Sequence, residues 1–148
     1  GVAVTFVPEL PKTRVSGAAR WLSSTKALIQ LSLRYKTDDH LWFTFFHEAG
    51  HLLLHSKKIQ FVDLADGLGG EQEEEADRFA SEWLIPPEEV GRLEQLGKTG
   101  KVSKAAVTHF AAEVGVAPGI VVGRMQKEGW LPWTHLNGLK MRYAWTGR

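Results

Sequence analysis

The chain contains no cysteine among its 148 residues. No disulfide can therefore stabilise the fold, and any bound metal ion must be held by histidine or carboxylate side chains. No apolar run approaches the roughly 18 residues of a membrane span, and no signal peptide is visible. The absence of cysteine also fits a reducing compartment, so we expect a cytoplasmic protein.

The formal net charge is only +1, so no overall field favours nucleic acid as a partner. Residues 71–89 are acidic and residues 120–148 are basic, and we interpret the basic tail as solvated surface. Hydrophobic residues make up 43% of the chain, which is typical of a globular protein with a real core. We expect a single domain over residues 1–148. Because the first residue is glycine, we also expect this domain to be a fragment of a longer chain.

Strand patterns come first along the chain. The segments in question are rich in β-branched and aromatic residues and are separated by Pro-, Ser- and Gly-containing turns; they are residues 2–7, 18–22 and 27–33. The alternation of the third segment continues beyond it, with Leu31, Leu33 and Tyr35 separated by polar residues, as in a half-buried strand. Residues 1–36 are therefore predicted to be mostly strands.

Helix patterns follow. Apolar spacing and capping residues predict helices over residues 39–55, 71–84, 88–96, 103–114 and 118–127, with a short strand at residues 59–62. Residues 39–85 hold the first two helices, and residues 87–148 form a helical C-terminal part. Because strands precede helices, we predict an α+β fold.

Two histidines lie four residues apart in the first helix. His47 and His51 project from nearly the same helix face, because four residues is slightly more than one turn. Two neutral imidazoles on one face can occupy two corners of a tetrahedral zinc site. Glu48 follows His47 and can act as a general base on water at such a site.

The same motif can also arise by chance on a solvated surface helix. Strongly apolar flanks argue against chance, because they predict a buried helix. Burial of two imidazoles and a carboxylate costs free energy unless these groups bind a partner. Gly50 argues in the same direction: it is unfavourable in a helix interior by about 1 kcal/mol, but it lets another backbone approach closely. We therefore predict a metal site.

The second helix supplies candidates for the third ligand. Most of its acids suit a solvated face, including Glu75 and Glu82. Glu73 shares the face defined by the apolar positions Ala76, Phe79, Ala80, Trp83 and Leu84, so it is the preferred zinc ligand, with Glu74 as the alternative. Asp77 lies one turn after Glu73 and can accept the free ring N–H of a ligating histidine.

Other polar residues have weaker claims. An additional donor to a reaction intermediate could come from any of four residues, each of which is more often structural: Tyr35, His109, Arg124 and His135. His55 could support the site from one turn beyond His51, although a surface position facing a loop is favoured. His40 lies seven residues before His47 and would lie near the same helix face, with helix capping as the alternative interpretation.

Two segments resemble the ImmA/IrrE family of metallo-endopeptidases. They are residues 44–55 (TFFHEAGHLLLH) and residues 73–86 (EEEADRFASEWLIP), of which the second is the more discriminating. Residues 110–125 resemble the helical tail of a subgroup in which the domain follows an N-terminal helix-turn-helix regulator of the XRE/HigA-like type. The resemblance covers roughly residues 20–130.

The resemblance implies a small twisted sheet packed on the active helix and the glutamate helix, as in a minimal thermolysin-like core. It implies one Zn²⁺ ion bound by two histidines and one glutamate, and cleavage of a repressor-type regulatory protein. Two functions stay open: an active zinc endopeptidase, and a regulatory or antitoxin-associated module that keeps the fold and binds a protein or small ligand. Neither requires contact of this domain with a membrane or with nucleic acid.

Overall fold

A computed structural model describes residues 1–9, 12, 14–55 and 70–146. In this part of the chain, three strands precede five α-helices, which confirms the α+β prediction. The strands are β1 (Val2–Phe6), β2 (Gly17–Trp21) and β3 (Ala27–Leu31). The helices are α1 (Asp38–Leu54), α2 (Gly70–Leu84), α3 (Pro87–Lys98), α4 (Lys104–Val114) and α5 (Pro118–Lys127), followed by a 3₁₀ turn at Asn137–Leu139. The strand predicted at residues 59–62 lies outside the described residues.

The chain divides into two compact units. The first comprises Gly1–Arg34 and Phe43–Trp83, and the second comprises Tyr35–Trp42 and Leu84–Arg148. Helix α1 therefore contributes its first five residues to the second unit and the remainder to the first. The expectation of a single domain over residues 1–148 stays a prediction.

The first unit contains a mixed three-stranded sheet in the order β1-β3-β2. β3 pairs in parallel with β1 and antiparallel with β2. The β2–β3 hairpin closes where the N–H groups of Leu22 and Ser23 donate to the carbonyl of Lys26, at 2.8 and 3.1 Å. Ala27, Ile29 and Leu31 of the central strand are each at most 2% exposed, so the sheet buries one face of β3.

β3 is shorter than predicted. It ends at Leu31 because Leu33 adopts a left-handed backbone with φ 47°, which ends the extended alternation. Ser32 is buried at this point, and its hydroxyl donates to the carbonyl of Val15 at 2.9 Å. Tyr35 is 49% exposed, so the prediction of a half-buried strand through Tyr35 is wrong.

The second unit has an apolar core drawn mainly from the last three helices. Its fully buried side chains include Leu93, Val107, Val121 and Met125. The boundaries of α4 agree with the capping predictions: the Ser103 hydroxyl accepts from the N–H of Ala106, and Gly115 ends the helix at φ 84°. Helix α3 runs from Pro87 to Lys98, slightly longer than the predicted 88–96.

No single helix among the described residues is long and apolar enough to cross a membrane. Lys104–Val114 and Pro118–Lys127 reach that length and apolar character only when they are taken together, and they are bent by 108° at the break between them.

Candidate metal centre

Helices α1 and α2 approach each other closely at Gly50. A β-carbon on Gly50 would lie 3.3 Å from Cα of Ala76 and 3.2 Å from the ring of Phe79. Ala76 is 0% exposed, so a small side chain on α2 lies at this contact. The prediction that Gly50 admits another backbone is confirmed. The close approach brings the acidic residues of α2 beside the histidines of α1.

Three side chains converge at this point. His47 Nε2 and His51 Nε2 lie 3.0 Å apart. The carboxylate of Glu73 reaches both rings, with Oε2 at 3.2 Å from His47 Nε2 and Oε1 at 3.2 Å from His51 Nε2. Zinc bonds of about 2.0–2.1 Å place tetrahedral ligand atoms about 3.3 Å apart. The spacing of these atoms is therefore compatible with a small metal ion, and the three residues form a candidate metal cluster.

The outer contacts of the two rings explain why a cation suits this cluster. Nδ1 of His47 lies 2.8 Å from Oδ1 of Asp77, so this nitrogen carries the ring proton and donates to the carboxylate. Nε2 of His47 is then an unprotonated acceptor. Burial lowers the pKa of His51, which favours a neutral ring. With the His51 proton on Nδ1, acceptor atoms face one another, and a bound cation would satisfy all of them.

Glu48 is buried and separate from these three ligand atoms. It is 9% exposed, and its Oε1 atom would lie 3.1 Å from a β-carbon built on Gly17, the first residue of β2. The absence of a side chain at Gly17 therefore leaves room for the carboxylate. Burial raises the pKa of Glu48 to about 7, and the negative charge of Glu73 adds to this shift. A carboxyl group in this pKa range can both accept and donate a proton near neutral pH.

His55 and Glu75 also belong to this cluster of side chains. Their placement corrects the preference for a loop-facing surface histidine, because the His55 side chain is only 4% exposed. Its Nδ1 lies 2.9 Å from Nδ1 of His51, and its Nε2 lies 3.2 Å from Oε2 of Glu75. Glu75 is 40% exposed, in keeping with a solvent-facing acid, and its carboxylate also contacts His55. The i, i+4 spacing from His47 through His51 to His55 was the available sequence signal.

Apolar residues around the motif are less buried than predicted. Leu53 and Leu54 are 70% and 51% exposed, and Trp83 of α2 is 63% exposed. A helix turns about 100° per residue, so a continuous apolar run surrounds its axis and only part of it can face a neighbour. Glu74 is exposed and lies outside the ligand cluster, so Glu73 is the acid that meets the histidines.

The four weaker donor candidates all lie in the second unit and have local partners there. Tyr35 stacks on His40 with ring centroids 4.2 Å apart. The other contacts are His109 with Glu113, Arg124 with Glu128, and His135 with Thr134. A role in stabilising a reaction intermediate stays a prediction for each of them.

The mixed sheet, the HExxH helix and the crossing acidic helix define a metallopeptidase-type domain. A family model agrees: the IrrE N-terminal-like domain family, Peptidase_M78, matches residues 6–126, which is most of the chain. The chain therefore belongs to this family, as the resemblance of its two motifs predicted. No curated protein matches the chain.

Proposed function

We propose that this domain is a zinc-dependent endopeptidase that hydrolyses peptide bonds of a repressor-type regulatory protein. The convergence of His47, His51 and Glu73 beside a buried fourth residue, Glu48, carries the proposal. A site that only bound metal for structural reasons would be closed by four protein ligands. Three ligands with a separate carboxylate resemble a catalytic arrangement instead.

Zinc is the proposed ion because two imidazole nitrogens and one carboxylate form a borderline donor set with suitable spacing. Such an ion would supply Lewis acidity toward the scissile carbonyl. Asp77 holds the proton on Nδ1 of His47, which keeps Nε2 free to bind. The chain contains no cysteine and therefore no disulfide. We include a cytoplasmic location in the proposal because this composition fits a reducing compartment.

Glu48 is assigned the proton transfers. Its carboxylate would accept a proton from the attacking water and return it to the nitrogen of the leaving amine. Burial supports the return of the proton, because it raises the pKa of the Glu48 carboxyl. A domain that worked only by binding a protein or small ligand would not need a carboxylate at this position.

The repressor-type substrate rests on the resemblance of the two motifs to the ImmA/IrrE family. An N-terminal helix-turn-helix domain in a longer chain stays a prediction on the same basis.

Comparison of wild type with Glu48→Gln tests the proposal. Both proteins should bind one zinc ion per chain by elemental analysis, because Glu48 is not among the ligands. In cells that produce each protein, N-terminal peptide sequencing should find new cleavage products with wild type and none with Glu48→Gln. Glu82→Gln removes the same charge from an exposed position of α2 and should cleave as wild type does.

Identical cleavage products from wild type and Glu48→Gln would refute the peptidase function. If Glu48→Gln changes the behaviour of the producing cells as wild type does, the result would support the alternative function, a regulatory binding module. New N-termini outside regulatory proteins would preserve the endopeptidase and overturn the proposed substrate class.

A further inference from the structure

We propose that His55 and Glu75 are positioning residues, which hold the His51 ring in the orientation and tautomer that bind the metal ion. This inference rests on the metal site of the proposed function. It adds a second, indirect support beside the direct contact of Asp77 with His47.

The contact of His51 with His55 joins two ring edges. Their Nδ1 atoms are 2.9 Å apart, while the ring centroids are 5.0 Å apart and the planes are tilted by 52°. A face-to-face stack would not bring these nitrogens to hydrogen-bonding distance. The two rings therefore share one hydrogen bond, in which one Nδ1 donates and the other accepts.

The direction of that hydrogen bond follows from the position of the metal site. Nε2 of His51 faces His47 and Glu73, so it must be unprotonated to bind a cation. A neutral ring then carries its proton on Nδ1 and donates to Nδ1 of His55. His55 must in turn carry its own proton on Nε2, which lies 3.2 Å from Oε2 of Glu75 and donates to it. In this series of hydrogen bonds from His51 through His55 to Glu75, each donor nitrogen faces an acceptor.

Burial makes this arrangement specific. The His55 side chain is 4% exposed, so water has little access to replace either of its hydrogen bonds. Glu75 is 40% exposed and supplies a negative charge at the end of this series of hydrogen bonds. A carboxylate acting through an intervening imidazole favours the proton on Nδ1 of His51 and thereby makes Nε2 a better ligand.

Metal affinity measures this role directly. In His55→Phe the ring volume is kept but the acceptor for His51 Nδ1 is lost. We expect the dissociation constant for Co²⁺ or Zn²⁺, measured by competition with a chromophoric chelator, to rise about 10- to 100-fold. The visible absorption spectrum of the Co²⁺ form should also change, because the orientation of one ligand is no longer held.

Conservative variants separate positioning from packing. His55→Asn restores an acceptor near the position of Nδ1 and should recover most of the lost affinity. Glu75→Gln should weaken binding less than His55→Phe does, since a neutral acceptor remains for His55 Nε2. Glu82→Gln is the matched control on the same helix and should bind metal as wild type does.

Unchanged affinity and spectrum in His55→Phe would overturn the inference. If His55→Phe does not fold, the comparison of Glu75→Gln with Glu82→Gln decides, and equal affinities would overturn it. A wild-type protein that binds no metal would instead refute the proposed function itself. Wild-type binding together with full binding by His55→Phe would refute only the positioning role.

Discussion

Replacement of Lys140 by methionine should destabilise the protein by about 3 kcal/mol at pH 7. Lys140 Nζ lies 2.8 Å from Oδ2 of Asp39, in the first turn of α1, and 2.8 Å from Oε1 of Gln126. The Lys140 and Asp39 side chains are only 8% and 9% exposed. The pair therefore belongs to a buried polar network within the second unit.

The magnitude follows from what the substitution leaves behind. Removal of one partner from a buried ion pair costs about 3–5 kcal/mol, because the other charge stays in a site with little water. Gly123 closes over Asp39 so tightly that a β-carbon there would lie 2.5 Å from Oδ2. We take the lower end of this range as the expected magnitude.

The loss of stability should depend on pH. Burial alone would raise the pKa of Asp39, but hydrogen bonds from Lys140 and Thr37 outweigh burial and lower it below its usual 3.8. In wild type the pair therefore contributes stability above pH 3.8, and this contribution is lost as the pH falls through the folded-state pKa. In Lys140→Met burial dominates and raises the pKa of Asp39. Protonation then relieves the penalty, so the difference between the two proteins should shrink toward pH 4.

Urea unfolding followed by circular dichroism at pH 7 and pH 4 measures both effects. Lys98→Met is the matched control, because Lys98 pairs with Glu94 on an exposed helix face and is 67% exposed. An exposed pair contributes at most about 1 kcal/mol. A Lys140→Met loss no larger than that of Lys98→Met, or the same loss at both pH values, would refute the reasoning.

Two further predictions concern the metal site. Gly17→Ala places a β-carbon 2.6 Å from Thr44 Cγ2 and 3.0 Å from Glu48 Cγ, so it should displace Glu48 and slow cleavage about 10- to 100-fold while zinc stays bound. Gly91→Ala, with nothing within 4 Å of its β-carbon, should cleave normally, and equal rates for the two variants would contradict the prediction. Zinc added to chelator-treated protein at about 1,000 times its dissociation constant should stabilise folding by about 4 kcal/mol, seen as a raised melting temperature. His47→Ala should show a much smaller rise, and an equal rise would place the zinc elsewhere.

Local sequence signals predicted most helix boundaries, because capping and periodicity act within a few residues. Ser103 and Gly115 bound α4 as expected, and Pro118 opens α5. The predicted extent of β3 was wrong, because the alternation of side chains continues to Tyr35 while the backbone turns at Leu33. Alternation reports which side chains could share a face, and it does not report where hydrogen bonding to a neighbouring strand stops.

The sequence by itself determined that His47, Glu48 and His51 share one turn of helix, because helical spacing is a property of neighbouring residues. It also favoured Glu73 among several acids through the phase of the apolar face on α2. Only the tertiary structure decided that His55 is buried and that Glu75 of α2 contacts it. That contact depends on how closely α1 and α2 cross at Gly50, and the distance between two helices is set by packing rather than by the spacing within either one.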